Sequence, residues 1–467
     1  MGGVTSRILV PFRGEGAGVG ELTWGQQSVW QNMRRTGATM NIGGTTALPA
    51  GTSIDELATT LRFIVSRHQS LRTRLRLVPD GPPRQVVVES GEIALEIVDV
   101  DPGDSADSAA DQLYSRYEMT PFDYPTEWPV RMGVVRRDGV LTHVVVLYCH
   151  LAVDGFGIDA LVRDLAHLDR ATGRATAPVA GLTPLQLSAK QRTPAALRHS
   201  ERSLRYWESL LRAIPAQRLG TSADPREPRF WNLTFRSPAM RLALQAIAHR
   251  TRCGVGYVLL AAYAVALARG TGRNPSVTQV LVNNRFRPGC ADSASQLAQL
   301  GLCAIDVADA TFDQVVDRTW KAATNAYLNG YFDTLALYDL LDRIARERGE
   351  VEISCIVNDR RDQRGPQPLG PAPTRDELRA ALPLTRSWWA RRLDTFDATL
   401  NVTIDSVPDA IELSICADTH RLAPAEIEAL AAAMEAVTVE AAFDATAPTG
   451  VSATTSAIDP ARALAAG

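Results

Sequence analysis

The segment Cys149-His150-Leu151-Ala152-Val153-Asp154-Gly155 holds the residue types whose spacing could do chemistry in this chain. It closes a near-continuous apolar run, Val140–Leu151, of the kind that forms a strand buried on both faces. A histidine leaving such a strand just before a tight turn is held on rigid backbone, with its ring directed into whatever cleft borders the strand end. An isolated imidazole titrates near ~6.5, so a neutral ring able to accept a proton is abundant at pH 7. Such a ring could take a proton from an amine or hydroxyl attacking a thioester, orient that nucleophile, or stabilise the developing charge. Asp154 and Gly155 suit a turn, because aspartate bonds nearby backbone amides and glycine tolerates positive φ. A buried carboxylate there needs a partner, and arginine matches it best. Arg285, at the end of the apolar stretch Ser276–Val282, is the candidate. Cys149 adds a thiol, but adjacent strand residues point to opposite faces, so a joint thiol–imidazole nucleophile is not expected. The plainer reading of these residues is a structural histidine followed by an ordinary Asp-Gly turn.

The elements that must position this segment follow from periodicity. A short strand, Ile8–Phe12, precedes a glycine-rich stretch, Gly14–Gly20, whose alternate glycines without a following βαβ unit read as a flexible lead-in rather than a dinucleotide loop. Thr23 reads as the N-cap of a helix over Trp24–Arg35, and Ile54, Leu57, Leu61, Ile64 and Val65 mark an amphipathic helix. Strands are expected at Arg84–Val88, Ile93–Val98 and Val140–Leu151, and a helix carries Ile158, Leu161, Val162, Leu165 and Leu168. Residues 1–175 form a first half, and the Ala-, Thr- and Pro-rich stretch 176–200 reads as a linker. A second half, 201–445, holds helices near 204–211, 255–268, 312–327, 334–348 and 424–442. Its strands are expected at 276–282, 351–357, 399–404 and 411–417. Asn283 and Asn284 sit where they could line a substrate path, and the tail 446–467 is small, polar and expected to be disordered.

The 467 residues carry 45% hydrophobic and 22% charged residues, enough apolar material for a core, and a net charge of −3 that favours neither nucleic acid nor an anionic membrane. Six scattered cysteines, at 149, 253, 290, 303, 355 and 416, form neither a disulfide framework nor a zinc pattern. Met1–Phe12 has no signal-peptide pattern, and no run approaches the ~18 apolar residues of a membrane span. The expectation is a cytoplasmic protein with reduced thiols, no metal and no redox cofactor.

The His150 segment resembles the H-H-x-x-x-D-G signature of nonribosomal-peptide condensation domains, within the chloramphenicol-acetyltransferase-like superfamily. Other stretches agree in the family's order. Leu22-Thr23-Trp24-Gly25-Gln26-Gln27 with Trp30 is similar to S-x-A-Q-x-x-x-W, and Arg67-His68-Gln69-Ser70-Leu71-Arg72-Thr73 to R-H-E-x-L-R-T. Trp128-Pro129-Val130-Arg131 is similar to the family's P-L-R step, Tyr206-Trp207 to its Y-W pair, and Gly301-Leu302-Cys303 sits where V-G-x-F-x-N is expected. The likeness runs over roughly 20–440. Two departures stand out: Cys149 replaces the first signature histidine, and the V-N-T part is poorly kept near Cys303.

The resemblance implies an α/β fold of two acetyltransferase-like subdomains in a V-shaped pseudo-dimer with a central tunnel. It also implies a bridging segment near 358–395 that would include Trp388, a possible substrate contact. His150 would be the catalytic residue, with Asp154 structural through Arg285 and Gly155 keeping the turn close to the substrate path. The donor would be an acyl or aminoacyl thioester on the phosphopantetheine arm of a partner carrier protein, with no cofactor of the chain's own. The acceptor would be a small amine or alcohol, giving amide or ester. Because no adenylation signature or G-G-x-S carrier motif appears, a free-standing enzyme of natural-product biosynthesis is expected. Alternatives are an acyltransferase using coenzyme A or a polyketide carrier, and an inactive recruitment domain of the same fold. An epimerisation domain would need a glutamate motif that is not found near Asn283–Pro288.

Overall fold

The computed structural model describes residues 6–37, 39–79, 81–101, 103–361 and 370–453. Its packing divides into two units, Met1–Leu197 with Asn283–Gln299, and Arg198–Val282 with Leu300–Gly467. The first unit runs β1 (Ser6–Arg13), β2 (Gly18–Glu21), α1 (Trp24–Thr36), β3 (Asn41–Ala47), α2 (Ile54–Arg67), β4 (Thr73–Val78), β5 (Gly81–Val87), β6 (Ser90–Asp99) and α3 (Ala106–Met119). It continues with β7 (Val130–Arg137), β8 (Val140–Cys149), α4 (Gly155–Asp164), β9 (Leu168–Asp169), β10 (Arg174–Ala175) and α5 (Pro184–Gln191). Five strands form one sheet in the order β1-β6-β7-β8-β3, and β2-β5-β4 form a smaller one. β6 and β7 are parallel, with α3 as the crossover between them, and the other pairs of the large sheet are antiparallel. Asp138-Gly139, both at positive φ, make the tight mirror-image turn that aligns β8 on β7. β8 is buried on both faces, as its composition predicts. Val145, Leu147 and Cys149 pack with Val29 and Met33 of α1 and Leu113 and Tyr117 of α3. Val144, Val146 and Tyr148 pack on the other side, with Leu61 and Ile64 of α2 and Leu161 of α4.

The second unit contains α6 (Pro194–Ala213), β11 (Phe230–Ser237), α7 (Pro238–Thr251), α8 (Val255–Thr271), β12 (Ser276–Val282), β13 (Gln299–Ile305), α9 (Phe312–Leu328) and α10 (Thr334–Arg348). β14 (Cys355–Asp359), α11 (Arg375–Ala381), β15 (Arg386–Leu393), β16 (Leu400–Val407), β17 (Ala410–Asp418) and α12 (Pro424–Ala441) complete it. Its seven strands are ordered β13-β12-β14-β16-β17-β11-β15. α8 is apolar on every side and is the central element of the core, packed by α7, α9 and α12. Trp207 of the Tyr206-Trp207 pair is fully buried, edge-on to Phe332 with ring centroids 5.4 Å apart. No single helix among the described residues is long and apolar enough to cross a membrane.

Several expectations are corrected. The stretch 176–200 holds α5 and the first turns of α6, because Thr183 with Gln186 forms a capping box that starts a helix in an otherwise weak pattern. The expected strand 351–357 shortens to Cys355–Asp359. Residues 446–453 are tied down, through Phe312 N–H to Ala447 O, Thr449 N–H to Ala310 O and Asp309 N–H to Val451 O. The rest of that tail, and 362–369 of the expected bridging segment, lie outside the described residues.

The Arg67–Thr73 stretch is a brace. Arg67 pairs bidentately with Asp164 at the end of α4 (2.6 and 2.7 Å), and His68 Nε2 lies 3.0 Å from the same carboxylate. Arg72 is fully buried and donates to the carbonyls of Glu15, Gly16 and Val88. The glycine-rich stretch is therefore an ordered cover over a guanidinium, not a loose lead-in. A β-carbon on Gly14 would fall 1.9 Å from Ser66 O and 2.6 Å from Arg72 Nε, so only glycine allows this approach. Burial alone would raise the Asp164 carboxyl, but the bonds from Arg67 and His68 outweigh it and hold the group well below the ordinary carboxylate range. A depressed folded value adds stability above the unfolded pKa of about 3.9 and loses it as pH falls further. The melting-temperature gap between the native chain and Asp164→Asn is accordingly expected to be widest near neutrality and to shrink below about pH 4. Thermal unfolding followed by circular dichroism across that range checks it.

Candidate active site

The main chain leaves β8 at Cys149 and turns through His150–Val153 before Asp154 caps α4, its Oδ1 accepting Gly157 N–H at 2.7 Å. Leu151, Ala152 and Val153 are buried, whereas His150 is half-buried. Asp154 is the hub. Arg285 grips it through Nη1 to Oδ2 (3.0 Å) and Nη2 to Oδ1 (2.8 Å), with side chains only 3% and 8% exposed for Asp154 and Arg285. The same Oδ2 accepts the backbone N–H groups of Leu297 and Ala298, both at 2.9 Å. Arg285 Nη2 also donates to the carbonyls of Ser293 and Ser295, both at 3.0 Å. A buried ion pair is tolerated when further hydrogen bonds satisfy its remaining groups. The backbone partners do so for the carboxylate and for both terminal nitrogens, while Arg285 Nε is buried without a hydrogen-bond partner among the described residues. The segment 283–299 is thereby folded around the signature aspartate, and it packs in the first unit although it joins two strands of the second.

The residues singled out in the sequence fall into place unevenly. The Asp154–Arg285 pairing forms. Gly155 does not use left-handed backbone: it is the first residue of α4, and Asp154 before it is extended. The glycine that close approach demands is Gly157, where a β-carbon would sit 3.0 Å from Ser295 O and 3.1 Å from Arg285 Nη2. Asn284, expected on the substrate path, is fully buried with φ +58°, donates to Leu297 O at 3.2 Å and accepts from Arg287. Its short amide tolerates left-handed backbone, so it shapes the loop from inside and offers no surface to a substrate. Asn283 Oδ1 accepts the Arg285 N–H at 2.9 Å. Trp388 lies in β15 of the second unit, 46% exposed and paired with Thr234 of β11, in a strand rather than a loop.

Cys149 faces the α1 and α3 side of the sheet, and burial pushes its thiol up to about 12. A thiol so held is neutral at physiological pH and is no nucleophile. The first signature position is a core position here, so the change to cysteine takes nothing from the face where His150 emerges. Gln296 was missed altogether. It is buried, with Oε1 3.1 Å from His150 Nδ1, and no local pattern marks a lone glutamine 146 residues away. The Thr23–Gln27 stretch also gains a reason. α1 begins against residue 296, where a β-carbon on Gly25 would fall 2.6 Å from Gln296 O. Among the described residues no cluster of His, Cys, Asp and Glu could hold a metal ion.

The family model for the Condensation domain matches residues 19–458, and the chain belongs to that family. Condensation domains act on substrates tethered to the phosphopantetheine arm of carrier proteins and need no cofactor of their own. Among curated relatives, nonribosomal peptide synthetase kk1B of Curvularia clavata is 29% identical over 59% of this chain and 2% of its own length. Phosphinothricin tripeptide synthetase PhsB of Streptomyces viridochromogenes is 26% identical over 74% of this chain and 30% of its own. The chain thus spans less than a third of these relatives. Among solved structures, the SgcC5 protein from Streptomyces globisporus matches with TM-score 0.69 at 18% identity, over 92% of this chain and all of that one. The X-domain from teicoplanin biosynthesis matches with TM-score 0.71 at 18% identity, over 93% and 97%.

Two outcomes test this geometry. Asp154→Ala leaves the Arg285 guanidinium buried without its counter-charge and is expected to cost about 3–5 kcal/mol, read from urea denaturation. Iodoacetamide at mildly alkaline pH is expected to leave Cys149 unlabelled in the native chain while modifying half-buried Cys253, as peptide mass spectrometry reports.

Proposed function

We propose that this chain transfers an acyl or aminoacyl group from a carrier-protein thioester to a small amine or alcohol, forming an amide or ester. The observation that carries the reading is half-buried His150, just beyond the end of β8, with its ring bonded to Gln296 of the Asp154-centred network. Family membership supports the reaction class, and the packing of Cys149 away into the core supports direct transfer rather than a covalent thiol intermediate. His150 takes the proton from the acceptor's nitrogen or oxygen as that atom bonds to the thioester carbon, or holds the acceptor in line. The C–S bond then breaks and the proton passes to the departing thiolate, so no net proton is consumed.

Mass spectrometry of a carrier-loaded acyl donor incubated with panels of amines and alcohols tests this. Product is expected with the native chain, and His150→Ala is expected to lower turnover by roughly 10²–10⁴-fold, the usual worth of a positioned acid–base group. Equal product from both proteins would remove His150 from the mechanism. Product from acyl-coenzyme A in place of the carrier would reassign the donor.

A further inference from the structure

The ring of His150 has a single hydrogen-bond partner among the described residues, the Gln296 amide, with Nδ1 3.1 Å from Oε1. The other end of that amide is committed as well: Nε2 donates to the Ala298 carbonyl at 3.0 Å. A carbonyl oxygen only accepts, so the amide nitrogen must face Ala298 and the amide oxygen must face the ring. An amide oxygen also only accepts, so Nδ1 must carry the proton. In the neutral ring this leaves the lone pair on Nε2. We infer that Gln296 is a positioning residue that fixes His150 in the Nδ1–H tautomer and so presents Nε2 as the proton acceptor. This deepens the acyl-transfer reading and, in its mechanistic part, rests on it.

What holds Gln296 is the Asp154–Arg285 pair. Asp154 Oδ2 takes the N–H groups of the two residues after it, Leu297 and Ala298. Arg285 Nη2 donates to the carbonyls of Ser295, just before position 296, and of Ser293. The ion pair therefore clamps the main chain on both sides of position 296, and the start of α1 closes over the Gln296 carbonyl at Gly25. The signature aspartate acts on the imidazole through this relay: carboxylate, backbone of 295–298, amide, Nδ1. In the reaction, Nε2 accepts the proton released as the acceptor's N–C or O–C bond forms, and returns it to the sulfur as the C–S bond breaks. A ring in the opposite tautomer would carry a hydrogen at Nε2 and could not accept that proton.

The test is nitrogen NMR of the full chain labelled with ¹⁵N-histidine. The chain has seven histidines, and the His150 signals are assigned by their loss in His150→Gln. The native protein is expected to show His150 as the Nδ1–H tautomer. Gln296→Met, of similar volume but with no amide acceptor, is expected to give a mixture of tautomers. It should also lower kcat by about tenfold or more with KM for the carrier-bound donor nearly unchanged. Gln85→Met, which removes another buried amide of the same unit, is the control for generic packing loss and is expected to leave tautomer and kcat unaltered. A native His150 carrying its proton on Nε2 would overturn the inference, as would a Gln296→Met protein with the native tautomer and native kcat. If no acyl transfer is found with any substrate yet the tautomer responds to Gln296→Met, the proposed function fails while the positioning role stands.

Discussion

A carboxylate with five donors around it organises the first unit. Asp154 caps α4, binds both terminal nitrogens of Arg285 and takes two backbone N–H groups from the 283–299 segment. Removing one partner of such a pair leaves a desolvated charge behind, so each member makes the other obligatory. The network is local in space and remote in sequence, 131 residues separating its two ions. It joins the turn that carries His150 to the loop that contacts the ring, and the geometry of the imidazole follows from it.

A second layer of arginine bonding supports the same helix from behind. Arg67 and His68 hold Asp164 at the far end of α4, as Asp154 caps its beginning. Both ends of the short helix after the histidine are thus fixed by buried or half-buried charge. Three of the stretches resembling family motifs brace the first unit. Thr23–Gln27 abuts residue 296, Arg67–Thr73 braces α4 and covers its own arginine with glycines, and Arg131 ties the end of α3 to β7 through the carbonyls of Tyr117, Thr120 and Pro121. None of these residues needs to touch a substrate to matter for where His150 sits.

Much of this was legible in the residues, and the reason for each success or failure is physical. β8 could be read because valine-rich burial on both faces leaves a continuous apolar run, and α1 and α2 because side-chain caps and one-face spacing are local signals. Arg285 could be anticipated because a buried aspartate demands a cation. α3 and α7 were not seen, since their apolar stripes are weak and their burial comes from tertiary neighbours, the sheet for α3 and chiefly the helices α8, α11 and α12 for α7. Asn284 was misjudged because an asparagine in left-handed backbone looks the same in sequence as one facing a ligand. Gln296 could not be found by spacing or type. A single amide acquires meaning only when the fold brings a ring beside it.

The assignment of 283–299 to the first unit has a consequence for how the chain is made. On a ribosome, residues up to 197 emerge long before Arg285, so the nascent first unit carries an unneutralised aspartate in its interior until the later segment arrives. Its completion must wait on the segment between β12 and β13, so the first half depends on chain made after the second half has begun to emerge. A fragment cut after residue 197 would lack its own counter-ion.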